Sequence, residues 1–133
     1  MLSAIKRVFE GDEEIIKLYD PTRTVGSIDD VAHDIWLKLM EYDLLYETYF
    51  VEMDDAYFCY APGMLISFGV HIDSRTPERL KEFFGEICDR LGGEFSCLLW
   101  TKNERAINWL KKMGMREEWK VNYDGHSITK LCL

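Results

Sequence analysis

A nearly uncharged run from Phe95 to Thr101 has the pattern of a strand buried on both faces, which sets it mid-sheet. At Asn103 the period turns helical. Ala106, Ile107, Leu110 and Met113 form one stripe, Asn103 is a favoured N-cap, and Glu104 suits the positive end of the helix dipole. Lys111 and Lys112 suit the negative end, and Gly114 supplies the left-handed conformation that stops the helix. A second helix is marked by Thr76 as N-cap and Pro77 at its first position, with Leu80, Phe83, Phe84, Ile87 and Leu91 on one face and Gly92-Gly93 at its end. A third is predicted from Ser27, with Asp29 and Asp30 in its first turn and Val31, Ile35, Trp36, Leu39 and Met40 on its apolar face.

Between these helices the period is that of strands. Residues 47–72 read as a three-stranded antiparallel meander with turns at Asp54-Asp55 and Pro62-Gly63. The third strand, residues 64–72, is apolar on both faces and therefore central. The helix after Thr76 carries the chain to the run at Phe95, so the two flanking strands are expected to be parallel. Residues 117–123 and 126–133 flank Asp124-Gly125, a strong two-residue hairpin signal. At the N-terminus, residues 3–9 alternate weakly as a first strand, residues 11–14 open a short helix through Leu18, and residues 20–26 form a loop.

Strand, Asn-opened helix, aromatic-rich middle and a Gly followed by a large apolar residue, carried here by Asn103, Trp109, Gly114 and Met115, resemble the fifth strand and fourth helix of the GNAT superfamily, the acyl-CoA-dependent N-acetyltransferases. The element order resembles that fold over nearly the whole chain. The resemblance implies one α+β domain over residues 1–133, with a mixed, mostly antiparallel sheet of about six to seven strands and helices on both faces. Residues 64–133 also resemble small GNAT-like proteins of tailed phages, of the internal virion protein A type. The matching residues are Trp100, Asn103, Trp109-Leu110-Lys111, Gly114, Glu117-Glu118 and Asp124-Gly125.

Composition narrows the function. The 133 residues are 47% hydrophobic, enough for one core. A net charge of −8 and a pI near 4.9 argue against nucleic-acid and anionic-membrane partners. Cys59, Cys88, Cys97 and Cys132 lack metal-ligand spacing and read as reduced thiols. Neither a signal peptide nor a membrane span is legible, so the expected location is host cytoplasm or virion.

The resemblance also locates the chemistry and its departures. The family holds the pyrophosphate of acetyl-CoA on a glycine-rich loop that here reads Ile72-Asp73-Ser74-Arg75-Thr76-Pro77-Glu78. That stretch has no glycine, Pro77 lacks an N–H, and Asp73 and Glu78 add negative charge. By resemblance, Ile72, Ser74, Arg75, Thr76 and Asn103 are the candidate cofactor-binding residues. The tyrosine that protonates the leaving thiolate in many relatives is replaced by Leu110, with Tyr123 or Cys132 as substitutes. Glu52, His71 and Asp73 are candidate bases, His71 for its titration range, although a hydrogen-bonded strand histidine is the plainer account. No metal site is expected. Three functions follow: a phage virion or ejection accessory protein acting through protein contacts, with no cofactor and other virion proteins as its possible partners; an active N-acetyltransferase using acetyl-CoA; or a cytoplasmic module binding a small anion or peptide in the cleft between the two parallel strands.

Overall fold

A computed structural model of the chain describes residues 7, 12–19, 49–123 and 126–133, with the side chains of Tyr123 and His126 outside that description. The helix read from Ser27, the loop at 20–26 and the Asp124-Gly125 turn lie outside the described residues. Arg7, read as part of a first strand, is helical, and its carbonyl accepts the Asp12 N–H at 3.0 Å.

The elements are α1 (Glu13–Tyr19), β1 (Tyr49–Glu52), β2 (Ala56–Ala61), β3 (Met64–Val70), a 3₁₀ turn (Ile72–Ser74), α2 (Pro77–Leu91), β4 (Ser96–Trp100), α3 (Glu104–Lys112), β5 (Arg116–Tyr123) and β6 (His126–Cys132). They form an α+β fold around a six-stranded sheet ordered β1-β2-β3-β4-β6-β5. Among the described strands only β3 and β4 are parallel; every other neighbouring pair is antiparallel. The meander, the parallel crossover through α2 and the final hairpin match the expected order. β6 inserts between β4 and β5, which makes β5 an edge strand.

The faces of the sheet follow from strand alternation. Phe58, Leu65 and Val70 join Phe83, Phe84 and Ile87 of α2 and Ile107 and Leu110 of α3 in the main core. Tyr57, Cys59 and Ile66 point the other way and pack with Ile16 and Tyr19 of α1. The described helices thus cover both faces, α1 on one and α2 with α3 on the other.

Local chemistry sets the helix ends. Asp12 accepts the Glu14 N–H at 3.1 Å on its side chain and the Ile16 N–H on its carbonyl. Thr76 Oγ1 accepts the Arg79 N–H at 3.2 Å, and Gly92 closes α2 at φ +82°. Asn103 occupies the N-cap position of α3 but makes no side-chain cap bond, contrary to the sequence expectation. Its ψ of 62° departs from the extended conformation usual at an N-cap.

β4 also departs from its reading as a strand buried on both sides. Cys97 is buried in the main core, yet Leu98 is 44% exposed on the opposite face. The same face carries Trp119 and Val121 of β5, which are 37% and 45% exposed. α1 packs over β2 and β3, and no described helix packs on this part of the sheet.

Candidate functional site

Among the described strands, the sheet is interrupted between β3 and β4. β3 and β4 pair at Met64 with Ser96 and at Leu65 with Cys97, and their ladder stops there. A β-bulge sits at the same point: Cys59 faces Ser67 while Tyr60 faces Leu65, leaving Ile66 as an extra residue in β3. A bulge bends and twists its strand, and this one sits where the β3–β4 ladder ends. Beyond it, β3 continues to Val70 and β4 to Trp100. The 3₁₀ turn and the start of α2 follow one strand, and Asn103 and the start of α3 follow the other.

At the end of β3, the loop read as a degenerate phosphate cradle is bonded within itself. The Asp73 N–H donates to His71 Nδ1 at 3.1 Å, Ser74 N–H to the His71 carbonyl, and Thr76 N–H to the Ser74 carbonyl. The Arg79 and Leu80 N–H groups are held by the side chain and carbonyl of Thr76, and Pro77 has none. The polar side chains are engaged as well. Arg75 donates to the Val70 carbonyl at 3.0 Å and to the Tyr19 carbonyl at 2.9 Å, tying the end of α1 to the loop. Ser74 hydrogen-bonds Asp55, while Ile72 is exposed and Asp73 is directed to solvent.

Beneath the loop, Arg79 forms a two-pronged bond to Asp55, Nε to Oδ2 at 2.7 Å and Nη2 to Oδ1 at 2.8 Å, and reaches Glu86 at 3.2 Å. The guanidinium holds the Asp55 carboxyl below the usual carboxylate range. This clamp joins the first turn of α2 to the β1–β2 turn.

Of the candidate bases Glu52, His71 and Asp73, His71 lies beside Tyr19. The imidazole of His71 meets the Tyr19 ring edge-on at 5.5 Å. Burial raises the Tyr19 phenol above its ordinary range, helped by the charges of Glu52, Asp55 and Asp54. Because His71 Nδ1 accepts the Asp73 N–H, its neutral ring carries the proton on Nε2 and presents a donor there. That is the wrong polarity for a base acting through Nε2. Glu52 stands across from Tyr57, whose ring covers Gly69 so closely that a Cβ there would lie 2.8 Å from Cε1. Tyr19 was not singled out in the sequence, where α1 shows only a short and weak pattern.

The other wall comes from α3. Leu110, at the place of the family tyrosine, is fully buried in the core. Trp109 bridges the elements on either side of the gap: its ring lies 5.5 Å from Phe68 of β3 and 6.0 Å from both Phe83 and Phe84 of α2. Its Nε1 is buried without a hydrogen-bond partner among the described residues. Asn103, half-buried and making no cap bond to its helix, is marked as a contact residue only by the resemblance.

The substitute acids are placed elsewhere. Cys132 pairs with Ser96 at the closed end of the gap, and its thiol donates to Glu118 at 2.7 Å. This hydrogen bond to a carboxylate raises the thiol further. Tyr123 lies on edge strand β5, with β6 between it and β4. All four cysteines are free thiols, and burial pushes Cys97 up to about 12. Among the described residues there is no cluster able to hold a metal ion, and no helix is long and apolar enough to cross a membrane.

A six-stranded mixed sheet with one parallel pair whose ladder ends at a bulge is the architecture of the GNAT fold. Solved structures of that fold are similar to this chain. A GNAT-family acetyltransferase structure from Desulfovibrio desulfuricans has a TM-score of 0.62 at 17% identity, covering 98% of this chain and 90% of its own. A spermidine N-acetyltransferase from Vibrio cholerae, solved with CoA and spermine, has a TM-score of 0.57 at 8% identity, covering 100% and 90%. A GNAT-family structure from Bordetella pertussis has a TM-score of 0.51 at 13% identity, covering 98% and 90%. No protein-family model matches the chain, and no curated protein matches it in sequence.

Proposed function

We propose that this chain is a GNAT-fold protein that acts through contacts with other proteins rather than by acyl transfer from CoA. The observation that carries this reading is the loop at 71–80, where the amides of Asp73, Ser74, Thr76, Arg79 and Leu80 are all bonded internally. A pyrophosphate needs such donors directed at it. Arg75 and Ser74 are engaged in the same local network, and Leu110 offers no proton to a leaving thiolate. The resemblance of residues 64–133 to phage internal virion proteins supports a virion or ejection-accessory setting for those contacts. Calorimetric titration with acetyl-CoA tests the reading: no saturable binding is expected up to millimolar ligand, and binding at micromolar strength overturns it.

An active N-acetyltransferase is the second reading, favoured by the end of the β3–β4 ladder at the Ile66 bulge. The Vibrio cholerae neighbour solved with CoA and spermine is consistent with it. It requires the loop bonds to be exchanged for phosphate contacts. It predicts thiol release from acetyl-CoA in the presence of an amine, slowed in Glu52→Gln and in His71→Ala.

A further inference from the structure

We infer that His71 is a proton-operated latch: one of its imidazole nitrogens closes the turn between β3 and α2, and a proton on that nitrogen opens it. The device belongs to the loop itself and goes beyond the contact reading above.

The observation behind it is the chemistry of the cap. His71 stands at the N-cap of the 3₁₀ turn Ile72–Ser74, and its Nδ1 accepts the Asp73 N–H at 3.1 Å. Nδ1 can accept there only while it keeps its lone pair, because both ring nitrogens are donors in the protonated form. The caps that Asp12 and Thr76 provide use oxygens, which still accept near neutral pH. Histidine is the side chain that changes charge in that range. The His71 side chain is 24% exposed, so protons reach it from solvent.

The protonated ring also has a second partner at hand. Asp73 Oδ2 lies 3.7 Å from Nδ1, so the new N–H turns from the Asp73 amide, a donor it opposes, to the Asp73 carboxylate. Among the described residues, the other titratable and charged groups around the imidazole are Tyr19 of α1, edge-on at 5.5 Å, Arg75 of the loop and Asp55 of the β1–β2 turn. The charges of Glu52, Asp54 and Asp55 reach the Tyr19 phenol beside it. Arg75 is held by the Val70 and Tyr19 carbonyls and the Asp55 carboxylate by Arg79, so Asp73 is the carboxylate that answers the new charge.

The movement stays local. The His71 N–H is anchored on the Asp55 carbonyl at 2.7 Å, and Thr76 caps α2 independently, so strand and helix hold their places on either side. Acid therefore gives the loop a free amide and a positive charge. A partner touching this loop meets a different surface on each side of the titration.

The test is a pH titration of the full chain, labelled with ¹⁵N, from pH 8 to pH 5. Long-range correlations to the ring nitrogens of His71 should show Nδ1 bare and Nε2 protonated at the alkaline end. As the ring titrates, the Asp73 amide should shift with the same midpoint. Its protection from hydrogen exchange, corrected for the intrinsic rate, should fall about threefold to tenfold. The amides of α2 should not follow. His71→Asn keeps a short acceptor at the cap position and cannot take the proton, so its Asp73 amide should stay protected throughout. A proton found on Nδ1 at pH 8, an Asp73 amide indifferent to the ring titration, or the same response in His71→Asn would overturn the inference.

Discussion

Arg79 and Gly69 show how single positions hold this molecule together. The Arg79 guanidinium links the first turn of α2 to the β1–β2 turn through Asp55, and removing it takes the cationic partner from both Asp55 and Glu86. Arg79→Ala is expected to lower stability by about 1–2 kcal/mol, read as a shift in urea midpoint. The same pair gives a pH signature. A carboxyl whose folded pKa is depressed, as that of Asp55 is, adds stability that is complete above its unfolded value near 3.9 and is lost as pH falls through the folded value. Arg79→Ala should therefore flatten the acid limb of the stability profile. Gly69 answers to sterics instead, because the covering Tyr57 ring is itself buried. Gly69→Ala should destabilise by about 1–3 kcal/mol, and Tyr57→Leu in the same chain should recover part of that loss. Neither role is legible in the sequence: Arg79 reads as one charge on a helix, and Gly69 as a small residue in an apolar strand.

The two best-marked helices begin with different chemistry under similar sequence signals. Thr76 makes the cap bond its type predicts, while Asn103 makes none. Thr76→Ala is expected to cost about 1 kcal/mol, whereas Asn103→Ala should change the urea midpoint hardly at all. An equal loss in both would contradict the geometry at Asn103. Periodicity and stop residues were enough to place α2, α3, the meander and the parallel crossover, since each depends on local spacing and on the few ways a strand can be followed by a helix. What spacing could not give was the placement of β6 between β4 and β5, or the exposure of Leu98. Both depend on where distant segments lie. The site was legible to a similar degree: the missing loop glycines and Leu110 stand in the sequence, but the internal bonding of the loop and the contact of His71 with Tyr19 arise only from folding.

For the molecule as a whole, the main core crosses the line where the sheet is interrupted. Cys97 and Leu131 on one side share it with Phe58 and Val70 on the other. Cys59 and Cys97 are both buried, so a thiol reagent at pH 8 should leave them unmodified until the chain unfolds. Early labelling of either would indicate a core more open than described. The backbone contributes only two rungs to the join between β3 and β4, and side chains from α2 supply much of the remaining adhesion. Ile87, fully enclosed in that helix, acts as a rivet between two lobes. Ile87→Ala, expected to cost about 2–5 kcal/mol, should loosen the seam ahead of either lobe, so that hydrogen exchange accelerates first at Leu65 and Cys97 and later within the hairpins.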